Sequence, residues 1–338
     1  MTRNRALLSR RSFAALLVTL SALATSLPAS AQTSAANDPT VPLPANIRSQ
    51  LEAVSPDPEP EALTRDSHYW VSNEEGHWIV RDTIANIGGV YIGVGTDQNY
   101  VMAGWARSSL VVMLDFDQQI ANVHEAYGVL FKHATTPADF LAYWDDDRLD
   151  EVIALVNADL PPARAEAVAR SLRASIHLCG ARLRRLAREY TRDGVVAFVN
   201  DQTEYDFIRN LWINNRVFAI RGDLTASSAM TGIARVARDN GMPVRLLYLS
   251  NAEQYYTYDP QTVANITAMP FDDHSWVLHT RQYGNWSRVV EGNYHYALQR
   301  GTDYAAWVAS GRATDFIAMA RRTRRDLGNG MSLMEGTP

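Results

Sequence analysis

From residue 89 onward, short apolar runs alternate with longer stretches of helical period, the pattern of a sheet assembled from strand–helix units. The predicted strands lie at 90–94, 110–116, 195–199, 217–220, 244–249, 275–279 and 293–298, and the intervening helices at 97–107, 118–133, 203–214, 227–240 and 252–264. Near-continuous apolar character in the first, second, fourth and fifth strands implies burial on both faces, as parallel strands covered by helices require. No helix of comparable length separates the last two strands, so they should pair antiparallel at the sheet edge. Between 135 and 192 the pattern turns wholly helical, at 137–144, at 149–156 and in a long amphipathic helix opened by Pro161-Pro162. The expectation is an α/β domain over 66–338 with a Rossmann-like sheet, helices on both faces and a helical insertion (135–192) after the second strand.

The two ends of the pattern differ from the middle. Ser9-Arg10-Arg11-Ser12-Phe13 precedes an apolar run from Ala14 to Leu27 that closes in Ala29-Ser30-Ala31. That arrangement reads as a twin-arginine signal peptide over 1–31, removed after transport by the twin-arginine translocase to the periplasm or exterior. The apolar run is shorter than the roughly 20 residues of a membrane helix, and no span is expected elsewhere. Residues 32–65 carry six of the 14 prolines and little periodicity, and read as a flexible leader.

Composition narrows the chemistry. A net charge of −5 gives no general attraction to nucleic acid or anionic lipid, and a small-molecule ligand is the expected partner. The single cysteine, Cys179, excludes an intrachain disulfide and a cysteine-based zinc site. No nucleophile elbow, HExxH pair or phosphate loop is present.

Candidate binding residues follow the first strand. In a doubly wound sheet, ligands bind beyond the carboxyl ends of the strands where their order reverses. Gly93-Val94-Gly95 falls there, with Asp97 next, and glycines let backbone approach a ligand closely while the following helix offers its N-terminal amides. Position 98, where a dinucleotide fingerprint has its third glycine, holds Gln98. Asp115, about 20 residues on, suits a carboxylate that accepts from both ribose hydroxyls; its other reading is a cap for the helix at 118.

Several blocks, taken in order, resemble a known family: Ser72-Asn73-Glu74, GGVYIGVGTDQNY, a strand ending in LDF, EYDFIRNLWINNRVFAIRGDLTASSAM, VRLLYLSNAEQYY and NITAMP. Over residues 66–281 the chain is similar to an uncharacterised bacterial family first noticed in Leptospira, with the fold of class I S-adenosylmethionine-dependent methyltransferases. The resemblance implies a seven-stranded sheet, six strands parallel and one antiparallel, which makes S-adenosylmethionine or a related nucleoside the expected ligand; the strand-end residues Gly93, Gly95, Asp97 and Asp115 are the candidates to hold it. It carries over no activity.

Polar residues gather at the predicted carboxyl ends of the central strands: Asp97, Asp115, Arg221-Gly222-Asp223, and Ser250-Asn251 with Glu253. Asp223 and Asn251 are the candidates for facing an acceptor; without a second aspartate beside them, no metal is expected. The loop RGDLTASS lacks the prolines that amino-group methyltransferases carry after the fourth strand, which disfavours an exocyclic nitrogen as acceptor. His124 with Glu125 is a candidate base, and a capped or solvated pair its other reading. Two functions stay open: a methyltransferase of unknown acceptor, or a non-catalytic envelope protein that keeps the pocket without the reaction.

Overall fold

The computed structural model describes residues 34–338 apart from Tyr283. Residues 1–33, on which the expected signal peptide and its Arg10-Arg11 pair fall, lie outside the described residues. Period-two alternation in the strands gives the sheet two apolar faces. Tyr91, Val111, Met113, Leu246, Tyr248 and Leu278 enter one core, while Val90, Ile92, Val112, Leu114, Leu247 and Val277 enter the other.

The strands are β1 (Val90–Val94), β2 (Leu110–Asp115), β3 (Val217–Arg221), β4 (Val244–Ser250), β5 (Trp276–Arg281), β6 (His295–Arg300), β7 (Arg324–Gly328) and β8 (Met331–Met334). They form one eight-stranded mixed sheet in the order β3-β2-β1-β4-β5-β6-β8-β7. The first five are parallel; β6 runs antiparallel to β5, β8 parallel to β6, and β7 antiparallel to β8. The molecule is therefore α/β, but its sheet departs from seven strands with a single antiparallel one.

Helices cover both faces. One face carries α2 (Gln98–Ala106), α3 (Gln118–His133), α4 (Pro137–Ala142), α5 (Leu149–Asp159), α6 (Pro162–Asp193) and α7 (Gln202–Ile213). The other carries α1 (Ala45–Glu52), α8 (Ala229–Asp239), α9 (Pro260–Thr267), α10 (Gly301–Ala309) and α11 (Phe316–Thr323). Pro162 occupies the first turn of α6, where its missing N–H costs nothing. Cys179 is buried on this helix, and burial pushes its thiol up.

Four expectations need correction. The apolar run 195–199 is no strand: the Asn200 amide donates to the Val195 carbonyl and accepts from the Ala197 amide, and the Trp105 indole donates to the Val196 carbonyl. Those backbone groups are satisfied by side chains, so no ladder is needed. The helix at 252–264 begins only at Pro260, because Asp259 caps the Thr262 amide and leaves Tyr255 and Tyr256 in a loop. The pair β5–β6 lies inside the sheet, since the β7–β8 hairpin adds beyond it. Finally, the proline-rich leader is docked from residue 34 onward.

That docking has a buried cation at its centre. Arg216, fully buried, donates to the carbonyls of Ala35, Ala36, Val41 and Ser109. Ile47 and Leu51 of α1 pack into the core beneath α8. Asp57, 1% exposed, accepts from the amides of Asp223, Ser228 and Ala229, capping the start of α8 with a carboxylate.

Candidate functional site

The chain crosses from β1 to β2 on one side, while β4 flanks β1 on the other, so the loops after these strands diverge and leave a cleft. It holds about 360 Å³. Gly95 and Gln98 line it after β1, Asp115 after β2, Asp223 after β3, and Asn251 with Tyr256 after β4. A strap formed by residues 64–74 closes one wall with Arg65, Tyr69, Asn73 and Glu74. The strap is tied down by His68 on Asp117 (2.6 Å), by the Ser72 amide on Asp97 (2.8 Å) and by Tyr294 on Asn73 (2.9 Å).

Four residues expected from the sequence thus meet in one cleft: Gly95, Asp115, Asp223 and Asn251. Gly95 has φ of +93°, a conformation that favours glycine, and it turns the chain from β1 into α2. The Asp223 carboxylate also orders its own loop, accepting from the amide and hydroxyl of Thr225 at 2.8 Å each.

Asp115 is strongly perturbed. Burial pushes its pKa from 3.8 up to about 7, with the Asp117 charge adding to the rise; the amides of Asp117, Gly95 and Phe116 pull the other way. At neutral pH this carboxyl sits near half ionisation. Asp115 does not cap α3; Asp117 does, through the Gln119 amide.

Asp97 and Gly93 lie elsewhere. Asp97 is fully buried, accepting from Arg182 Nε (2.9 Å), the Ser72 amide and the Thr96 hydroxyl. Burial opposes its charge, but the Arg182 guanidinium and the Ser72 amide outweigh that and hold its carboxyl below the ordinary value. It joins β1, the strap and the insertion helix α6, and does not face the cleft. Gly93 is a glycine because a Cβ there would overlap the side chains of Asn99 and Tyr91.

The turn after β1 is also not the open amide cradle that its glycines suggest. Gln98 folds back over Gly95, its Oε1 accepting from the Thr96 amide (3.2 Å) and its Nε2 donating to the Val94 carbonyl (3.3 Å). The Asn99 and Tyr100 amides in the first turn of α2 already donate to the Thr96 and Asp97 carbonyls, which leaves neither free for an anion. A phosphate-bearing ligand finds no backbone nest here.

The histidine and glutamate candidates resolve differently as well. His124 is held between the Tyr100 hydroxyl and the Gly95 carbonyl, and burial lowers its pKa to about 4, so it supports the Gly95 turn as a neutral ring. Glu125 pairs with Arg164. Glu253 turns away from the cleft, where it accepts from Tyr258 and Tyr304 and pairs with buried His279. Among the described residues, no group of three His, Cys, Asp or Glu side chains could hold a metal ion.

The residue least visible to sequence reasoning is Glu74. It is 1% exposed at the cleft floor and accepts from three hydroxyls: Tyr248, Ser250 (2.7 Å) and Thr280 (2.7 Å). Burial raises its pKa, while those hydroxyls and the charge of Arg182 favour the ionised form. Ser250, which it holds, has φ of +51° beside an irregularity in the β4–β5 pairing. A strained non-glycine residue at a strand's open end is a mark of functional sites. The only sequence signal for Glu74 was the block Ser72-Asn73-Glu74, far from any periodic element.

Against this geometry, comparison with known proteins adds a family and no activity. A search of curated proteins finds no match to the chain. A protein-family profile described as a domain of unknown function, DUF7790, matches residues 69–335, a span that holds every strand, the insertion helices and all of the cleft but its Thr64–Arg65 edge. The chain belongs to the DUF7790 family.

Proposed function

We propose that the cleft binds an unphosphorylated nucleoside of the S-adenosylmethionine type. The observation that carries this reading is Asp115: a carboxylate at the end of β2, lining the cleft with the Gly95 turn and suited to accept from both hydroxyls of a ribose. The sealed turn after β1 supports a nucleoside over a dinucleotide. Five parallel strands followed by an antiparallel β6 support kinship with the methyltransferase sheet, from which the β7–β8 hairpin departs.

Asp223 and Asn251 then border the place for an acceptor. Because 195–199 is no strand, the loop after the fourth strand is Ser250-Asn251-Ala252-Glu253, which also lacks proline. The disfavour toward exocyclic nitrogen passes to that loop. A second reading, a cell-envelope binding protein without turnover, is favoured by the Gln98 closure, which removes the helix amides from any ligand.

The test is direct. Protein taken from periplasm should carry a nucleoside in native mass spectrometry, and stripped protein should bind S-adenosylmethionine or S-adenosylhomocysteine by calorimetry. Folded, ligand-free protein that binds neither rules the reading out.

Export belongs to the same proposal, motivated by Arg10-Arg11 before the apolar run. Changing both arginines to lysine should strand precursor in the cytoplasm, whereas mature protein at parental level in the periplasm would remove the twin-arginine translocase as a partner.

A further inference from the structure

We propose that the cleft selects a cationic ligand, its positive centre held between the floor carboxylate of Glu74 and that of Asp223 and covered by tyrosine faces. The proposal deepens the nucleoside reading and rests on it. It begins from the balance of charge in the cavity. The described lining residues include three carboxyl groups, Glu74, Asp115 and Asp223, against one guanidinium, that of Arg65. Two further arginines stand behind the walls and are engaged there. Arg182 pairs with Asp97 and donates to the Glu74 carbonyl, and Arg221 pairs with Glu59 and donates to the Asp57 carbonyl.

Glu74 combines burial, which raises its pKa, with hydroxyl donors that oppose that rise. Three hydroxyl donors converge on its two oxygens, an arrangement that favours carboxylate over acid. Water is largely excluded there, so the field of that charge is weakly screened and a cation that enters is attracted strongly.

Aromatic faces supply the second half of the cage. Tyr69 and Tyr255, 42% and 55% exposed, stand at the rim, and Tyr256 and Tyr294 line the wall deeper in. A sulfonium or quaternary ammonium centre gains from such rings through their negative faces. One wall residue also carries an unmet hydrogen bond: the Tyr256 hydroxyl is buried without a partner. A buried donor left unpaired is costly, and an acceptor atom on the ligand would satisfy it. The ligand class is therefore a cation that also carries an acceptor, which excludes nucleoside phosphates and other anions.

S-adenosylmethionine and S-adenosylhomocysteine separate this idea from the one it rests on, because they differ by one methyl group and one positive charge. Burying the methyl alone accounts for about fourfold in affinity. Calorimetry on stripped protein should show the sulfonium binding between about tenfold and a hundredfold more tightly. In Asp223→Asn and in Glu74→Gln the ratio should fall toward about fourfold. Equal affinity, or preference for the thioether, would overturn the cationic selection and leave the nucleoside reading standing. A ratio unchanged in both folded variants would overturn the assignment to these carboxylates. Binding of neither compound overturns both ideas. The parental ratio decides the main point even where a variant fails to fold.

Discussion

Asp97→Asn should lower the unfolding free energy by about 3–5 kcal/mol, because it leaves the Arg182 guanidinium buried without its counter-charge. The pair is 0% and 2% exposed at its two side chains, so water cannot replace the lost partner. Arg182 Nη1 already lacks a hydrogen bond, and Nη2 is held by the neutral Glu74 carbonyl. A loss of this size is a large part of the 5–15 kcal/mol of an ordinary domain. Chemical denaturation of parent and variant measures it. Replacing Arg182 by Met in the same chain should recover part of the stability, since an Asn–Met pair has no buried charge to compensate. A cost below about 1 kcal/mol for Asp97→Asn would mean that the pair does not hold the strap to α6. The experiment also separates two roles for Asp97. A ligand contact would weaken binding and spare stability; the buried pair predicts the reverse order of effects.

Nucleoside affinity should rise with pH through about 7 and then level off, and Asp115→Asn should abolish that dependence. The ionised carboxylate accepts from both ribose hydroxyls, whereas the protonated acid has given up part of that capacity. With a pKa of about 7 in the free protein, each pH unit below 7 removes a further factor of ten from the competent population. Between pH 8 and pH 5 the parent should lose about a hundredfold in affinity. Stability moves in the opposite sense. A folded-state pKa raised from 3.8 contributes stability that is complete below about 4 and is lost as pH rises through 7. Above pH 7 the asparagine variant should therefore be the more stable protein and the weaker binder. Glu74 also has a raised pKa, so the difference between parent and variant, rather than the parental profile alone, reports Asp115. A flat affinity profile in the parent would remove Asp115 from the ribose.

The site was partly legible because local chemistry marks some of its residues. Gly95 and Asp115 follow strands that their own apolar runs announce, and any carboxylate at a strand's open end is a candidate. Asp97 is two residues from Gly95 and looks equivalent on the page. Only the arrival of Arg182 from an insertion helix 85 positions away turns it into the core. Glu74 is the converse case, a residue without a periodic element that becomes the floor of the cleft through Tyr248, Ser250 and Thr280 on two different strands.

The β7–β8 hairpin shows a signal that was present and overlooked. Gly328-Asn329-Gly330 carries the Asn-Gly pair of a two-residue turn, and both Asn329 and Gly330 have positive φ. β7 is an exposed edge, and charges such as Arg324 and Arg325 hide its strand character.

By itself the sequence determined the α/β class, the parallel central strands, the helical insertion and the location of a glycine turn at a strand end. Each of these depends on periodicity over a few neighbouring residues, which burial on one face or two imposes directly on the chain. Tertiary structure alone decided that the leader is docked by Arg216 and Asp57, that Gln98 closes the turn, that Asp97 is an ion-pair partner and that Glu74 is a cleft residue. Those outcomes depend on which distant groups arrive beside a buried charge, and burying a charge is tolerable only where such partners meet it.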